Sequence, residues 1–332
     1  MKKRFFTIIF GVFMVLVWAA GVIVELSIEE FIRQFTEATK KEDKAGIEKL
    51  IQENPETAIQ IMQTMQKENS SNITEMDRLL EEGGKAFYDA NYPEALAKWE
   101  KGLYLAKKAD SKQAITIFLG NIGVVYQNFG QYDKALGYHK YALAIHKEIG
   151  DRRGEAGDLT NMGVVYDKLG QYDKALGYFE QALPVHKEIS DRRGEGNNLT
   201  NMGNVFQNLG QYDKALGYYE QALAIHKEIG DRRGEGNNLT NMGSVYGNLG
   251  QYDKALGYYE QALAIHKEIG DRRGEGSDLG NMGNVYGNLG QYDKALGYFE
   301  QALAIKKEIG DRRGEGTDLS NMGNVYQNLG QY

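Results

Sequence analysis

Four asparagines, Asn197, Asn201, Asn204 and Asn208, stand at i, i+4, i+7 and i+11. In a helix that spacing puts all four on one line. A carboxamide both donates and accepts hydrogen bonds, so such a row can hold an extended peptide backbone without demanding particular side chains. Asparagine is a poor helix former, and a helix carrying this many needs a reason. The row recurs as Asn237, Asn241, Ser244 and Asn248, then as Asn281, Asn284 and Asn288, then as Asn321, Asn324 and Asn328. If the helix before Asn237 begins at Asp231, Arg233 projects on the same side and can meet an acidic ligand residue. The competing account of the row is recent duplication, which copies any polar face along with everything else.

Other chemistry has less support. The chain has no cysteine, which excludes disulfides, thiolate zinc sites and a cysteine nucleophile. His146, His186, His226 and His266 recur at one fixed interval, beside the apolar stripe of their helices, and Lys306 takes the next place. Except for His146, which shares its unit with His139, each histidine is alone in its unit, which reads as a packed side chain rather than a metal ligand. Gly234-Glu235-Gly236 lacks the third glycine and the Lys-Ser/Thr of a phosphate loop. No Ser/His/Asp set or carboxylate pair stands out. The net charge is −7, and the unit Gln211–Gly250 sets five acids against four bases, so no basic stripe for nucleic acid accumulates. We therefore expect no enzyme, no cofactor, no metal and no nucleic-acid partner.

The elements that position these residues follow from a repeat. From Gly120 to Tyr332 the sequence repeats every 40 residues, and Leu209–Gly236 recurs unchanged at Leu249–Gly276. Such a period marks a stacked solenoid, each unit covering its neighbour's apolar face. Leu199, Met202, Gly203, Phe206 and Leu209 define the buried face of a first helix. Gly210 ends that helix, Gln211-Tyr212 makes the turn, and Asp213 is expected to cap the second helix. Ala215, Leu216, Tyr219, Ala222, Leu223 and Ile229 form the second stripe. Gly230 stops the second helix and Asp231 caps the next. The fold class is all-α.

These positions carry a resemblance. Leu199-x₂-Met202-Gly203-x₂-Phe206…Ala215-x₃-Tyr219 resembles the tetratricopeptide repeat, and so do Leu239/Met242/Gly243/Tyr246/Ala255/Tyr259 and Leu279/Met282/Gly283/Tyr286/Ala295/Phe299. Leu159/Met162/Gly163/Tyr166/Ala175/Phe179 and Leu119/Ile122/Gly123/Tyr126/Ala135 fit too, with His139 replacing the large aromatic in the earliest. A degenerate first unit at 76–112 has Gly83, Tyr92, Ala95 and Trp99. The longer unit, with Lys227 where the usual closing proline would stand, resembles the arrays of kinesin light chains, Pins-like spindle-orientation adaptors and many bacterial repeat proteins. The resemblance implies a right-handed superhelical α-solenoid of antiparallel helix pairs. It implies first helices lining a concave wall, so the asparagines and Arg233 would face a groove that grips peptide segments of partner proteins. It also implies a scaffold. The alternative is the targeting or sensory arm of a larger protein whose effector domain lies outside this chain.

Ahead of the array, Lys2, Lys3 and Arg4 precede an uncharged run, Phe5–Val24, about 30 Å long as a helix. Residues 1–26 are expected to be a transmembrane anchor or signal peptide. The flanking charges place the repeats outside the cytoplasm, periplasmic in a bacterium. Cleavage after Gly21 would instead give a secreted chain. Residues 27–75 read as a helical stalk, with a polar linker over 67–72, and 113–332 as five units and a half. Leu319, Met322, Tyr326 and Leu329 repeat the internal apolar face at the end of the sequence, from which we expect a natural chain that continues and a last helix that frays.

Overall fold

The computed structural model describes residues 27–41 and 43–330. The described residues form fifteen α-helices and no strand. They are α1 (Ile28–Lys40), α2 (Lys44–Glu53), α3 (Pro55–Tyr88), α4 (Tyr92–Lys108), α5 (Lys112–Asn128), α6 (Tyr132–Ile149), α7 (Arg152–Lys168) and α8 (Tyr172–Glu188). They continue as α9 (Arg192–Asn208), α10 (Tyr212–Glu228), α11 (Arg232–Asn248), α12 (Tyr252–Glu268), α13 (Arg272–Asn288), α14 (Tyr292–Glu308) and α15 (Arg312–Asn328). Contacts divide the chain into two compact units, Met1–Ile145 and His146–Tyr332.

In the first unit, α1, α2 and the start of α3 share a core of Phe31, Phe35, Ile47, Leu50, Ile51, Ala58 and Ile61. The expected stalk thus has an apolar centre of its own. Residues 67–72 are not a break in the helix, because α3 runs unbroken for 34 residues. Its polar face meets α4: Glu68 pairs with Lys108 at 2.7 Å, Glu75 with Lys101 at 2.8 Å and Glu82 with Lys98 at 2.6 Å. These partners convert a linker-like composition into one side of a helix pair. Trp99, buried, lies against Gly83, and His139, fully buried, lies against Gly123. His139 therefore fills the slot an aromatic ring takes elsewhere.

In the second unit a first-position helix (α7, α9, α11, α13, α15) alternates with a second-position helix (α8, α10, α12, α14). Each first-position helix starts on an aspartate; Asp191 Oδ1 accepts from the Gly194 amide and Asp231 Oδ1 from the Gly234 amide, both at 3.1 Å. The second-position helices start differently. Gln211 occupies the N-cap without a side-chain bond, and Asp213, expected as the cap, sits inside the first turn, where a negative charge meets the positive end of the helix. Helix ends are set by residues in the left-handed region, glycines such as Gly210 at φ +69° and Gly230 at φ +67°, with Ser190 at φ +55° after α8. Leu209, expected on the buried face, is the C-cap residue and is 38% exposed.

Inside each hairpin, glycine decides the approach. A Cβ built on Gly203 would lie 2.5 Å from a ring carbon of Tyr219, which is fully buried. Ala215 and Tyr219 pack on Met242 and Val245 of the following hairpin, so one ring serves two layers. A second sandwich lies toward the hairpin turn. Tyr218 stacks on Phe206 at 5.2 Å between centroids and 5° between planes, and Lys214 Nζ stands 5.2 Å from the Phe206 centroid. Tyr246 with Tyr258 and Tyr286 with Tyr298 repeat the stack. The last helix, α15, is helical throughout, with Leu319 at 53% exposure where Leu199, Leu239 and Leu279 are buried.

Gly203→Ala should lower the unfolding midpoint, at a cost of about 1–3 kcal/mol from overpacking against Tyr219. Gly217→Ala lies mid-helix with nothing within 4 Å of the added carbon. It should raise stability by about 0.5–1 kcal/mol through helix propensity. Urea titration of both variants against the parent checks the pair.

Candidate partner-binding face

The asparagine row occupies one side of α9, α11, α13 and α15, and in α9 Met202 and Leu199 are drawn to the other side by the second-position helices. Asn197, Asn208, Asn237, Asn248, Asn284, Asn288, Asn324 and Asn328 are exposed. Asn201, Asn204, Asn241, Asn281 and Asn321 are half-buried. Part of the row is committed within the fold. Asn241 Nδ2 donates to Asn204 Oδ1 at 3.4 Å, Gln207 Nε2 to Ser244 Oγ at 3.0 Å, and Asn208 Nδ2 to Asp167 Oδ1 at 3.1 Å. The Tyr219 hydroxyl lies 2.8 Å from Asn204 Oδ1 and 2.7 Å from Gln207 Oε1, and donates to one of them at a time. Successive first-position helices are thus joined through amides, and the exposed remainder is a periodic set of donors and acceptors.

Arg233 is 69% exposed in its side chain, and its Nε pairs with Asp271 Oδ2 at 3.2 Å. Arg193 pairs in the same way with Asp231 at 3.3 Å. Each of these arginines is held by the N-cap carboxylate of the next first-position helix, so a ligand carboxylate would share the guanidinium with that aspartate. On another edge Arg192 links Glu195, three residues on, to Glu228 at 2.5 Å, and the Arg192 bond holds the Glu228 carboxyl below its usual range. The pattern repeats at Arg232 with Glu235 and Glu268.

Two features escaped the sequence reading. Between α8 and α10 lies a groove of about 570 Å³ floored by Leu199 and Met202 of α9 and walled by Leu183, Tyr218 and Ile225. Leu199 and Met202 looked like ordinary core positions of one helix, and the groove forms between helices. The other is a buried polar position facing the recurrent histidines. His146 Nδ1 lies 2.7 Å from Asp158 Oδ2, His266 Nδ1 lies 2.7 Å from Asp278 Oδ2, and Lys306 Nζ donates to Asp318 Oδ1 at 2.7 Å. At the two middle junctions the facing residue is Asn198 or Asn238, and His186 and His226 approach the capping aspartates Asp191 and Asp231 instead, at 3.1 and 3.3 Å. Burial pushes the carboxyls of Asp278 and Asp318 up and the imidazole of His226 down. Burial also pushes the Tyr259 phenol up to about 12. The signal in the sequence was the change from Asp158 to Asn198 and Asn238 and back to Asp278 and Asp318 in units otherwise nearly identical.

Among the described residues no group of three or more His, Cys, Asp or Glu side chains is placed to hold a metal ion. No helix of the described residues is long and apolar enough to cross a membrane, and Phe5–Val24 lies outside them.

Glycine under an aromatic ring, an aspartate-capped first helix and a 40-residue stacking period are the marks of one repeat class. The tetratricopeptide repeat family matches residues 113–188, 195–268 and 277–332, and the chain belongs to it. No curated protein matches the chain. Among solved structures, a Rap protein complexed with Competence and Sporulation Factor is similar at 15% identity, with 100% of this chain and 99% of that one covered and a TM-score of 0.59. NprR in complex with its cognate peptide NprX is similar at 18% identity over 92% and 85% of the two chains, TM-score 0.58. A signal transduction ATPase with a tetratricopeptide repeat sensor from Pyrococcus horikoshii is similar at 19% identity, TM-score 0.59; 90% of this chain is covered but only 43% of that one. These likenesses are of fold.

Two adjacent asparagines separate surface from scaffold. Asn198 is fully buried and its Nδ2 donates to the Phe179 carbonyl at 2.7 Å, whereas Asn197 is exposed. Asn198→Ala should cost about 1–3 kcal/mol. Asn197→Ala should stay within about 0.5 kcal/mol of the parent. Thermal melts of the two variants read the difference directly.

Proposed function

We propose that this protein is a non-catalytic scaffold that holds extended peptide segments of partner proteins along the asparagine row of its first-position helices. The observation that carries the reading is the recurrence of exposed amides at equal positions of α9, α11, α13 and α15. A peptide backbone offers one donor and one acceptor per residue, and a carboxamide meets both. Two neighbours of like fold are complexes, the Rap protein with Competence and Sporulation Factor and NprR with its cognate peptide, which supports a peptide-sized occupant here. Arg233 and its equivalents add a preference for an acidic residue beside the row.

A second reading treats the array as the sensory arm of a larger protein. The Pyrococcus ATPase, of which this chain spans less than half, favours it. Both readings place recognition on the same face. The finer geometry, a right-handed superhelix with this face on its concave side, belongs to the same proposal.

The uncharged run Phe5–Val24 is proposed as an uncleaved membrane anchor, with the repeats on the extracytoplasmic side. The protein should then remain in the membrane pellet after carbonate washing. Recovery of a soluble species beginning near Val22 would overturn the anchor.

The binding face is tested with the full chain on an array of unstructured synthetic peptides. Replacing Asn197, Asn237, Asn284 and Asn288 together with alanine should abolish capture while each change moves stability by no more than about 0.5 kcal/mol. Capture undiminished in the fourfold variant would move the site to another face.

A further inference from the structure

The repeats are so alike that their few differences act as internal controls, and one pair lies in the buried joints. At the α10–α11 joint His226, 1% exposed, sits between Gly196 of α9 and Gly234 of α11. Asn238, fully buried, faces it from α11, with Thr200 Oγ1 of α9 3.1 Å from Asn238 Oδ1. At the α12–α13 joint His266 sits between Gly236 and Gly274 in the same way. There Asp278 replaces the asparagine, 2.7 Å from His266 Nδ1, with Thr240 Oγ1 2.6 Å away on its other oxygen. The two joints otherwise match: Asp231 and Asp271 cap the following helices, and Arg193 and Arg233 pair with those caps.

The charged groups facing each histidine come from the helices packed against it. Around His226 they are the Asp231 carboxylate, 3.3 Å from Nδ1 and already shared with Arg193 of α9. Neither Thr200 nor Asn238 brings charge. At His266 the fully buried Asp278 takes that place, 2.7 Å from Nδ1. We propose that the joint between α10 and α11 is a proton-sensitive hinge of the array, opened by protonation of His226, and that the presence of Asp278 makes the α12–α13 joint insensitive.

The sign follows from linkage. Burial lowers the affinity of His226 for a proton in the closed joint, whereas in the opened joint the imidazole regains its solution behaviour near pH 6.5. The open state then binds more protons, so closure is complete above that pH and weakens as the pH falls below it. Burial acts in the opposite direction on Asp278, raising its carboxyl, so acidification favours closure there. One consequence reaches the binding face: Asn204 and Asn241, hydrogen-bonded across the first of these joints, separate when it opens.

Hydrogen exchange with mass spectrometry on the full chain tests the hinge without any ligand, so its outcome is independent of the peptide-binding reading. The segments to follow are Asn238–Tyr246 in α11 and Asp278–Tyr286 in α13, whose sequences differ, unlike the identical stretches Leu209–Gly236 and Leu249–Gly276. After correction for intrinsic exchange, opening of α11 should rise by up to about tenfold between pH 7.5 and 5.5, the limit for one proton taken up near pH 6.5. The α13 segment should not show this rise. Asn238→Asp should remove the response from α11 and Asp278→Asn should create it in α13; each variant installs the residue that the other joint already accommodates. Equal acid responses in the two segments of the parent, or responses that stay in place in both variants, would overturn the proposal.

Discussion

Each hairpin of the array rests on one contact, an aromatic or imidazole ring lying on a glycine of the partner helix. Gly83 takes Trp99, Gly123 takes His139, Gly163 takes Phe179, Gly203 takes Tyr219, Gly243 takes Tyr259 and Gly283 takes Phe299. The absent side chain lets the two helices approach, and the ring fills the space and reaches the next layer. Within the second unit that distance is set once per hairpin, so the first-position helices come into register. A row of asparagines on those helices is useful only because of this register. Without the glycines the amides of neighbouring units would not lie within bonding reach of one another.

The array was legible because identity at a fixed period is a stronger signal than any propensity. Gly210 and Gly230 as stops and Asp231 as a cap were plain, since their conformational roles are local. Asp213 was misplaced by the same local reasoning: an aspartate near a helix start fits both the cap and the first turn, and the choice depends on where Tyr212 packs. Leu209 shows the complementary error, an apolar residue in phase with the buried face but beyond the last full turn. The polarity of 67–72 suggested a linker because the partner of Glu68, Lys108 of α4, lies 40 residues away.

For the candidate face, the residue types could be read and their satisfaction could not. Nothing in the sequence distinguishes Asn197, which is open to solvent, from Asn198, which is sealed under a carbonyl of the preceding helix. Nor does it reveal that Asn204 is occupied by a tyrosine hydroxyl and by Asn241. Helical phase gives direction, but the coverage of that direction depends on neighbouring hairpins. The groove between α8 and α10 has the same origin, since it is a gap between elements rather than a pattern within one.

The identity of Leu209–Gly236 with Leu249–Gly276 bears on heredity as well as on packing. A hairpin removed or added in whole steps of 40 residues leaves every glycine facing a ring and every aspartate on a helix start, because the two sides of the cut are the same. Histidine in these joints is already found facing both aspartate and asparagine, so a new neighbour of either kind is tolerated. Gene copying errors of that size would therefore change the reach of the asparagine row in discrete increments while leaving the fold intact.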